Sequence, residues 1–332
     1  DIWIVKIDSL RNIEFQYYND NPSQPDQCFS IISTTDGGYL ITGEIGELFG
    51  TVLNVGLIKL DQYGTEEWQS NPCDFCGSNK SYGKSAIQTS DGGYLLTGYT
   101  DYGDYHALWI IKTNNVGIEQ WHFLSSDLDG MDAQGYDIIE DSFGDVIAVG
   151  WIKEEENNTK DVWVGKFNSS GQIIWINQFD LNGYEVGSAI ELGISGYTIG
   201  GYVSEVEDSE KDMLLIEIDQ NGELVWNKQY GGGNDELANG LSTTIDNGYI
   251  LVGKTTSYGS GAEDIYVVKT DGYGNVNWEQ YYGGIYEDVG EDIQKTFEGQ
   301  GGFIISGSTY SPENNWDYWL IKTNSMGETA PY

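Results

Sequence analysis

The stretch Asp36-Gly-Gly-Tyr-Leu-Ile-Thr-Gly43 returns as Asp91-Gly-Gly-Tyr-Leu-Leu-Thr-Gly98 and as Asp246-Asn-Gly-Tyr-Ile-Leu-Val-Gly253. Looser copies are Phe143-Gly-Asp-Val-Ile-Ala-Val-Gly150, Ile194-Ser-Gly-Tyr-Thr-Ile-Gly-Gly201 and Gln300-Gly-Gly-Phe-Ile-Ile-Ser-Gly307. An Asp-Gly or Asn-Gly pair adopts positive φ at little cost, so each copy reads as a tight hairpin turn running into an apolar strand. A second motif is an alternating strand centred on Lys6, Lys59, Lys112, Lys166, Glu217, Lys269 and Lys322, at spacings of 51 to 54 residues. Nine residues beyond six of these centres stands an aromatic: Phe15, Trp68, Trp121, Trp175, Trp226 and Trp278.

The two motifs share one period of roughly 53 residues, and each period reads as four short strands, A to D. In the fifth full repeat these are Leu241 to Ile245, Tyr249 to Lys254, Asp264 to Thr270 and Val276 to Tyr282. Strands C and D are joined by turn residues ending in glycine, such as Asp271-Gly-Tyr-Gly274 and Asp219-Gln-Asn-Gly222, as a bulged hairpin requires. No long segment carries a helical period. Four antiparallel strands per repeat predict an all-β chain, a β-propeller occupying residues 1–332 as one domain.

The combination Asp-Gly-Gly-Tyr-x-x-x-Gly, Asp-x-Trp-x-x-Lys-x-Asp and Gly-x-x-x-Trp resembles the repeat of secreted prokaryotic surface β-propellers, over essentially the whole chain. That resemblance implies kelch-like strand order, with A innermost and D outermost. It specifies the fold better than the function, because propellers carry enzymes, lectins, adhesins and scaffolds alike. Six A strands are visible, starting near Cys28, Ser85, Gly135, Gly187, Asn239 and Glu291, so six blades are expected. The sixth lacks a D strand, and the N-terminal strand Ile13 to Tyr18 is expected to pair with this C-terminal blade and close it. The alternative is seven blades, with an A–B pair lost upstream. With six blades, Asp1 to Asp8, a full copy of the C strand, is surplus. Trp3, Val5 and Ile7 share one of its faces, and its free edge suits self-association.

Composition narrows the function. The 332 residues hold 15 Lys+Arg against 53 Asp+Glu, a formal net charge of −38. Such a charge repels phosphate backbones and anionic membranes, so no nucleic-acid partner is expected. No apolar run reaches the roughly 18 residues of a membrane span. Two His and three Cys leave few ligands for a zinc or haem centre. The absence of an initiating Met, the low Cys count and the acidity fit a mature secreted or cell-surface chain. Asn79, Asn157 and Asn168 head Asn-x-Ser/Thr triplets and are candidate glycosylation sites.

The A–B and C–D turns are short and uniform. The B–C and D–A connections vary, and a rigid scaffold places function on such loops. Aromatics there that no repeat position explains are candidate ligand-binding residues: Tyr102, Tyr105, Tyr258 and Trp316, with Trp151 at the start of a connection. Against this stands ordinary loop packing. The acids on the same loops suggest Ca2+, which takes oxygen ligands, with Asp127, Asp129 and Asp132 the best single cluster; a solvated acidic surface is the plainer reading. The Trp of the D strands reads as inter-blade packing. Cys73-Asp-Phe-Cys76 lacks the helix of a redox site and the following His of a haem site, so it reads as a disulfide, either Cys73–Cys76 or a bridge from Cys28 to one of them. Neither His106 nor His122 has an evident nucleophile partner, and no catalytic set stands out. The expected function is a non-enzymatic extracellular binding, adhesion or assembly module with a protein or glycan partner on the variable-loop face. The alternative is a carbohydrate-binding propeller, a lectin or glycan-processing enzyme.

Overall fold

The structure, a computed structural model, describes residues 2–19, 26–46, 53–77, 79–128, 132–153, 159–207, 209–296, 301–313 and 315–329. The fold is a six-bladed antiparallel β-propeller, and its blades follow the repeat. The first blade is β3 (Gln27–Ser33), β4 (Tyr39–Gly46), β5 (Leu53–Leu60) and β6 (Glu66–Ser70), hydrogen-bonded in that order. The second is β7 (Ser81–Gln88), β8 (Tyr94–Asp101), β9 (His106–Thr113) and β10 (Glu119–Leu124). The third is β11 (Asp132–Glu140), β12 (Val146–Lys153), β13 (Lys160–Phe167) and β14 (Ile173–Phe179). The fourth is β15 (Tyr184–Leu192), β16 (Gly196–Ser204), β17 (Lys211–Asp219) and β18 (Leu224–Tyr230). The fifth is β19 (Glu236–Thr243), β20 (Tyr249–Thr255), β21 (Asp264–Thr270) and β22 (Val276–Tyr282). The sixth has three described strands, β23 (Asp288–Thr296), β24 (Gly302–Ser311) and β25 (Asn315–Asn324), and an isolated antiparallel bridge joins Thr323 to Thr329.

The chain packs as two compact units. One comprises Asp1–Asn157 with Gly165–Ile174, the other Asn158–Val164 with Trp175–Tyr332. The middle strands β4, β5, β8, β9, β16, β17, β20 and β21 are buried on both faces, which is why they read as near-continuous apolar runs. The A strands begin earlier than the sequence suggests. In the fifth blade the A strand runs Glu236–Thr243 rather than Leu241 to Ile245. The reason is a bulge between Ala238 and Gly240 that breaks the alternation on which the reading depended.

The two sequence motifs turn out to be two halves of one contact. The lysine at the centre of the C strand pairs with the aspartate of the A–B turn: Lys59 with Asp36 at 2.9 Å, Lys112 with Asp91 at 3.0 Å, and Lys269 with Asp246 at 2.6 Å. In the third blade the aspartate has moved two residues back, and Lys166 reaches Asp141 at 3.0 Å. Hydrogen bonds from Thr34, Gly38 and Lys59 pull the Asp36 carboxyl down to about 2 against the effect of burial. The fourth blade has lost both partners together. Its A–B turn contains no aspartate, and the lysine position is Glu217, fully buried, accepting from the Ser195 amide (2.6 Å), Thr198 Oγ1 (2.5 Å) and Tyr249 Oη (2.9 Å).

The D-strand aromatics bind blade to blade, as expected. Trp121 Nε1 donates to Ser169 O, Trp175 Nε1 to Gln220 O and Trp278 Nε1 to Ser325 O, each in the following C–D turn. The same rings lie against the turn tyrosine of the next repeat: Trp68 on Tyr94, Trp175 on Tyr197, Trp226 on Tyr249. The turn glycine has φ near +80° and no Cβ, so the indole can sit on its backbone; at Gly274 a Cβ would strike Trp226.

The N-terminal strands β1 (Ile2–Ile7) and β2 (Ile13–Asn19) form a two-stranded sheet of their own. Ile2 and Ile4 pack against Ile41, Ile45, Ile58 and Leu60 of the first blade, while Phe15 takes the D-strand aromatic's place against Tyr39. The expected ladder between β2 and the C-terminal blade is not among the described pairings; β2 pairs with β1 and β25 with β24. The alternation of β1 is as anticipated, with Ile2 at 2% exposure and Trp3, Val5 and Ile7 at 41%, 36% and 39%.

Candidate functional site

Beginning from the expected ligand aromatics, the structure does not gather them. Tyr102 and Tyr105 stack on each other at 5.1 Å across a tight turn closed by the Tyr102 amide and Tyr105 carbonyl. Trp151 lies inside β12, paired with Gln134 and only 3% exposed, so it does not open a connection. Trp316 lies inside β25, because the β24–β25 ladder extends to Ser311 and Asn315, and its ring meets Tyr310 edge-on at 5.6 Å. Tyr258 is in a connection as expected, its hydroxyl donating to Gly231 O and its ring leaning on Tyr281 at 5.0 Å.

A different set does converge, within the first unit, at the ends of strands that lead to the B–C and D–A connections. Tyr82 of β7 and Tyr99 of β8 are cross-strand partners whose rings stack at 4.7 Å. His106, the first residue of β9, sits edge-on to Tyr99 at 5.2 Å and to Trp151 at 6.4 Å. Lys84 brings its ammonium 3.8 Å from the centre of the Phe29 ring and 5.6 Å from that of Tyr99. Burial of Lys84 lowers its pKa, with Glu44 opposing, and burial raises that of Tyr99. Asp132 fixes the imidazole, its Oδ1 lying 2.8 Å from the His106 amide and 2.9 Å from Nδ1. Phe29 is exposed and Tyr82, Lys84, Tyr99 and His106 are half-buried, so the rings are packed against one another and still reach solvent.

Sequence reading missed Phe29, Tyr82, Lys84 and Tyr99. They sit at repeat positions within strands, where an aromatic is read as packing. The available signal was that neighbouring repeats carry no aromatic at the Tyr82 position, with Gln134, Val186, Leu237 and Val289 in its place.

Of the expected Ca2+ ligands, Asp132 is engaged with His106, Asp129 lies outside the described residues, and so does the Asp127 side chain. Carboxylates converge elsewhere, at Asp161, Asp180 and Glu185 in the second unit, with one oxygen from each within 4.8 Å of the others. The disulfide joins Cys73 and Cys76 within a 3-10 turn and packs against Val55, Tyr94 and Trp109. The alternative bridge from Cys28 is not formed. Cys28 is a free thiol on β3, because the two other cysteines already meet across their own turn. Asn168 is a turn-former whose Oδ1 accepts from the Ser170 and Gln172 amides; Asn79 donates to Cys76 O, and Asn157 lies outside the described residues.

Two cavities lie at the opposite, short-turn ends of the blades. One of about 560 Å³ is lined by Asp36, Lys59, Trp68 and Asp91, the other of about 320 Å³ by Asp246, Lys269, Trp278 and Phe303. Both are crevices between consecutive repeats, bounded by the ion pairs and D-strand indoles that build the fold.

No family model matches the chain, and no curated protein matches it by sequence. Solved structures do. The WD40 domain of Neurospora crassa Pan2 superposes with a TM-score of 0.57 at 8% identity, covering 92% of this chain and 82% of that one. A puromycin hydrolase S511A mutant complexed with PGG gives 0.50 at 11% identity, over 93% of this chain and 53% of the hydrolase. The shared property is the propeller. At these identities the likeness extends to the fold and no further.

Proposed function

We propose that this chain is a non-enzymatic binding module of an extracellular or cell-surface protein, and that the Phe29, Tyr82, Lys84, Tyr99 and His106 patch is its ligand site. The observation that carries the reading is the solvent-reaching stack of Tyr82 on Tyr99 beside a lysine held against aromatic rings. Such a surface offers flat apolar area at low entropic cost together with one positive charge in a strongly negative chain. The Cys73–Cys76 disulfide supports an oxidising compartment, and the repeat's resemblance to secreted surface propellers agrees with it.

A glycan is the second reading, favoured by the same stack, because sugar faces lie on tyrosine rings of this kind. A glycan array carrying neutral and uronic-acid oligosaccharides tests it. Binding should fall about tenfold or more in Tyr82→Ala, the loss of a contact worth on the order of 1.4 kcal/mol. An array without hits removes the glycan reading; a hit that Tyr82→Ala leaves unchanged removes the patch as its site.

Self-association through β1 belongs to the same proposal. Trp3, Val5 and Ile7 form an exposed apolar row on a strand whose described ladder is on one side only. Removing residues 1–9 should lower the molar mass measured by light scattering at high protein concentration. An unchanged mass would show that the strand has no such role.

A further inference from the structure

The acid trio of the second unit occupies a position that recurs in the two blades that follow, and the recurrence shows what is missing. Glu185, Glu236 and Asp288 each stand two residues before the bulge of their A strand, at Gly187, Ala238 and Gly290. All three are buried. Each faces an aspartate near the start of the preceding C strand: Asp161, Asp212 or Asp264.

In two of the copies the buried acid accepts from an amide of the loop that precedes it, and Glu236 also from the end of β20 and the residues after it. Glu236 accepts from the Gly232 amide at 2.6 Å, from Thr255 Oγ1 at 2.5 Å and from the Ser257 amide at 3.2 Å. Asp288 accepts from the Gly284 amide at 2.8 Å. Both loops approach because the residue after the D strand is Gly231 or Gly283, where a Cβ would collide with the paired acids. In the remaining copy that residue is Asp180. Its side chain brings a third carboxylate to the pair.

Glu185 is 0% exposed, and neither of its carboxylate oxygens has a hydrogen-bond partner among the described residues. The amides of Leu181 and Gly183 point toward it without completing a bond. Burial, then Asp161, then Asp180 push its carboxyl up to about 7. A buried, unsatisfied carboxylate beside two others costs several kcal/mol unless something positive compensates it.

We propose that Asp161, Asp180 and Glu185 bind a divalent cation, Ca2+ by preference. Oxygen atoms within 4.8 Å of one another can close, with a small contraction, around an ion that takes its ligands at about 2.3–2.6 Å. The set is all oxygen, as a hard cation requires, and Asp180 is exposed, so it leaves an entry route and room for water ligands. The ion locks the loop at residues 180–183 to the starts of β13 and β15, as the glycine loops do for themselves in the next two blades.

The test is calorimetric titration of the full chain with CaCl2, and separately with MgCl2, at fixed ionic strength, alongside thermal melts in EDTA and in Ca2+. Asp180→Asn is the main variant, since an exposed side chain can change without unfolding the protein; Glu185→Gln is the second and Glu223→Gln, an exposed turn acid, the control. Expected are one Ca2+ equivalent fewer, or an affinity at least about tenfold weaker, in both Asp180→Asn and Glu185→Gln than in wild type and control. Glu185→Gln should also raise the melting temperature in EDTA while losing its share of the Ca2+-dependent rise. Stoichiometry, affinity and melting shift equal to wild type in both variants, or no Ca2+ binding by the wild-type chain, would overturn the assignment.

Discussion

Glu217→Lys restores the residue that the other six repeats carry at this position, and it is expected to destabilise the protein by on the order of 3–5 kcal/mol. Glu217 is fully buried and faces donors: the Ser195 amide and Thr198 Oγ1 of its own blade and Tyr249 Oη of the next. A lysine there would oppose those donors, and the turn over residues 193–195 has no aspartate to receive it. Glu217→Gln keeps one acceptor oxygen and should cost about 1–3 kcal/mol, the range for a neutral bond replacing a charged one. Urea denaturation of the three proteins measures both effects. A lysine variant as stable as wild type would mean that the lysine–aspartate contact of the other blades contributes nothing that Glu217 replaces.

Trp226→Ala should cost on the order of 3 kcal/mol, the lower part of the range for large aromatics because the ring is half-buried. The ring leans on Tyr249 and on the backbone of Gly274, so its loss removes contact between two successive blades rather than within one. Trp226→Phe keeps much of that contact and should lose markedly less. Full stability in Trp226→Ala, with loss of a bound ligand instead, would reassign the D-strand tryptophans from packing to recognition.

Both expectations rest on residues that the chain repeats, and repetition is what a sequence displays best. Period, strand number, turn positions and the packing role of Trp68, Trp121, Trp175, Trp226 and Trp278 were legible because each recurs at fixed spacing, and a fold made of like units must bury like positions. The departures were legible too, as with Glu217 among lysines, yet their cause was not. Only the folded blade shows that the lysine and the turn aspartate touch, and therefore that the fourth blade changed both.

The sites were hidden for a related reason. Tyr82, Tyr99 and Phe29 belong to different strands and meet only across ladders and between blades, so no spacing along the chain announces them. The same holds for Asp161, Asp180 and Glu185, which come from a C strand, a D–A loop and the next A strand. In a chain with 53 acids, three more carry no signal until one of them is seen buried and unsatisfied. Three pairings were open among Cys28, Cys73 and Cys76, and local turn geometry decided among them. Sequence determined the periodic part of this protein, because periodic burial is a one-dimensional property. Tertiary structure decided which side chains face one another across blades, because that depends on bulges, loop approach and the absence of a Cβ at single positions such as Gly231 and Gly283.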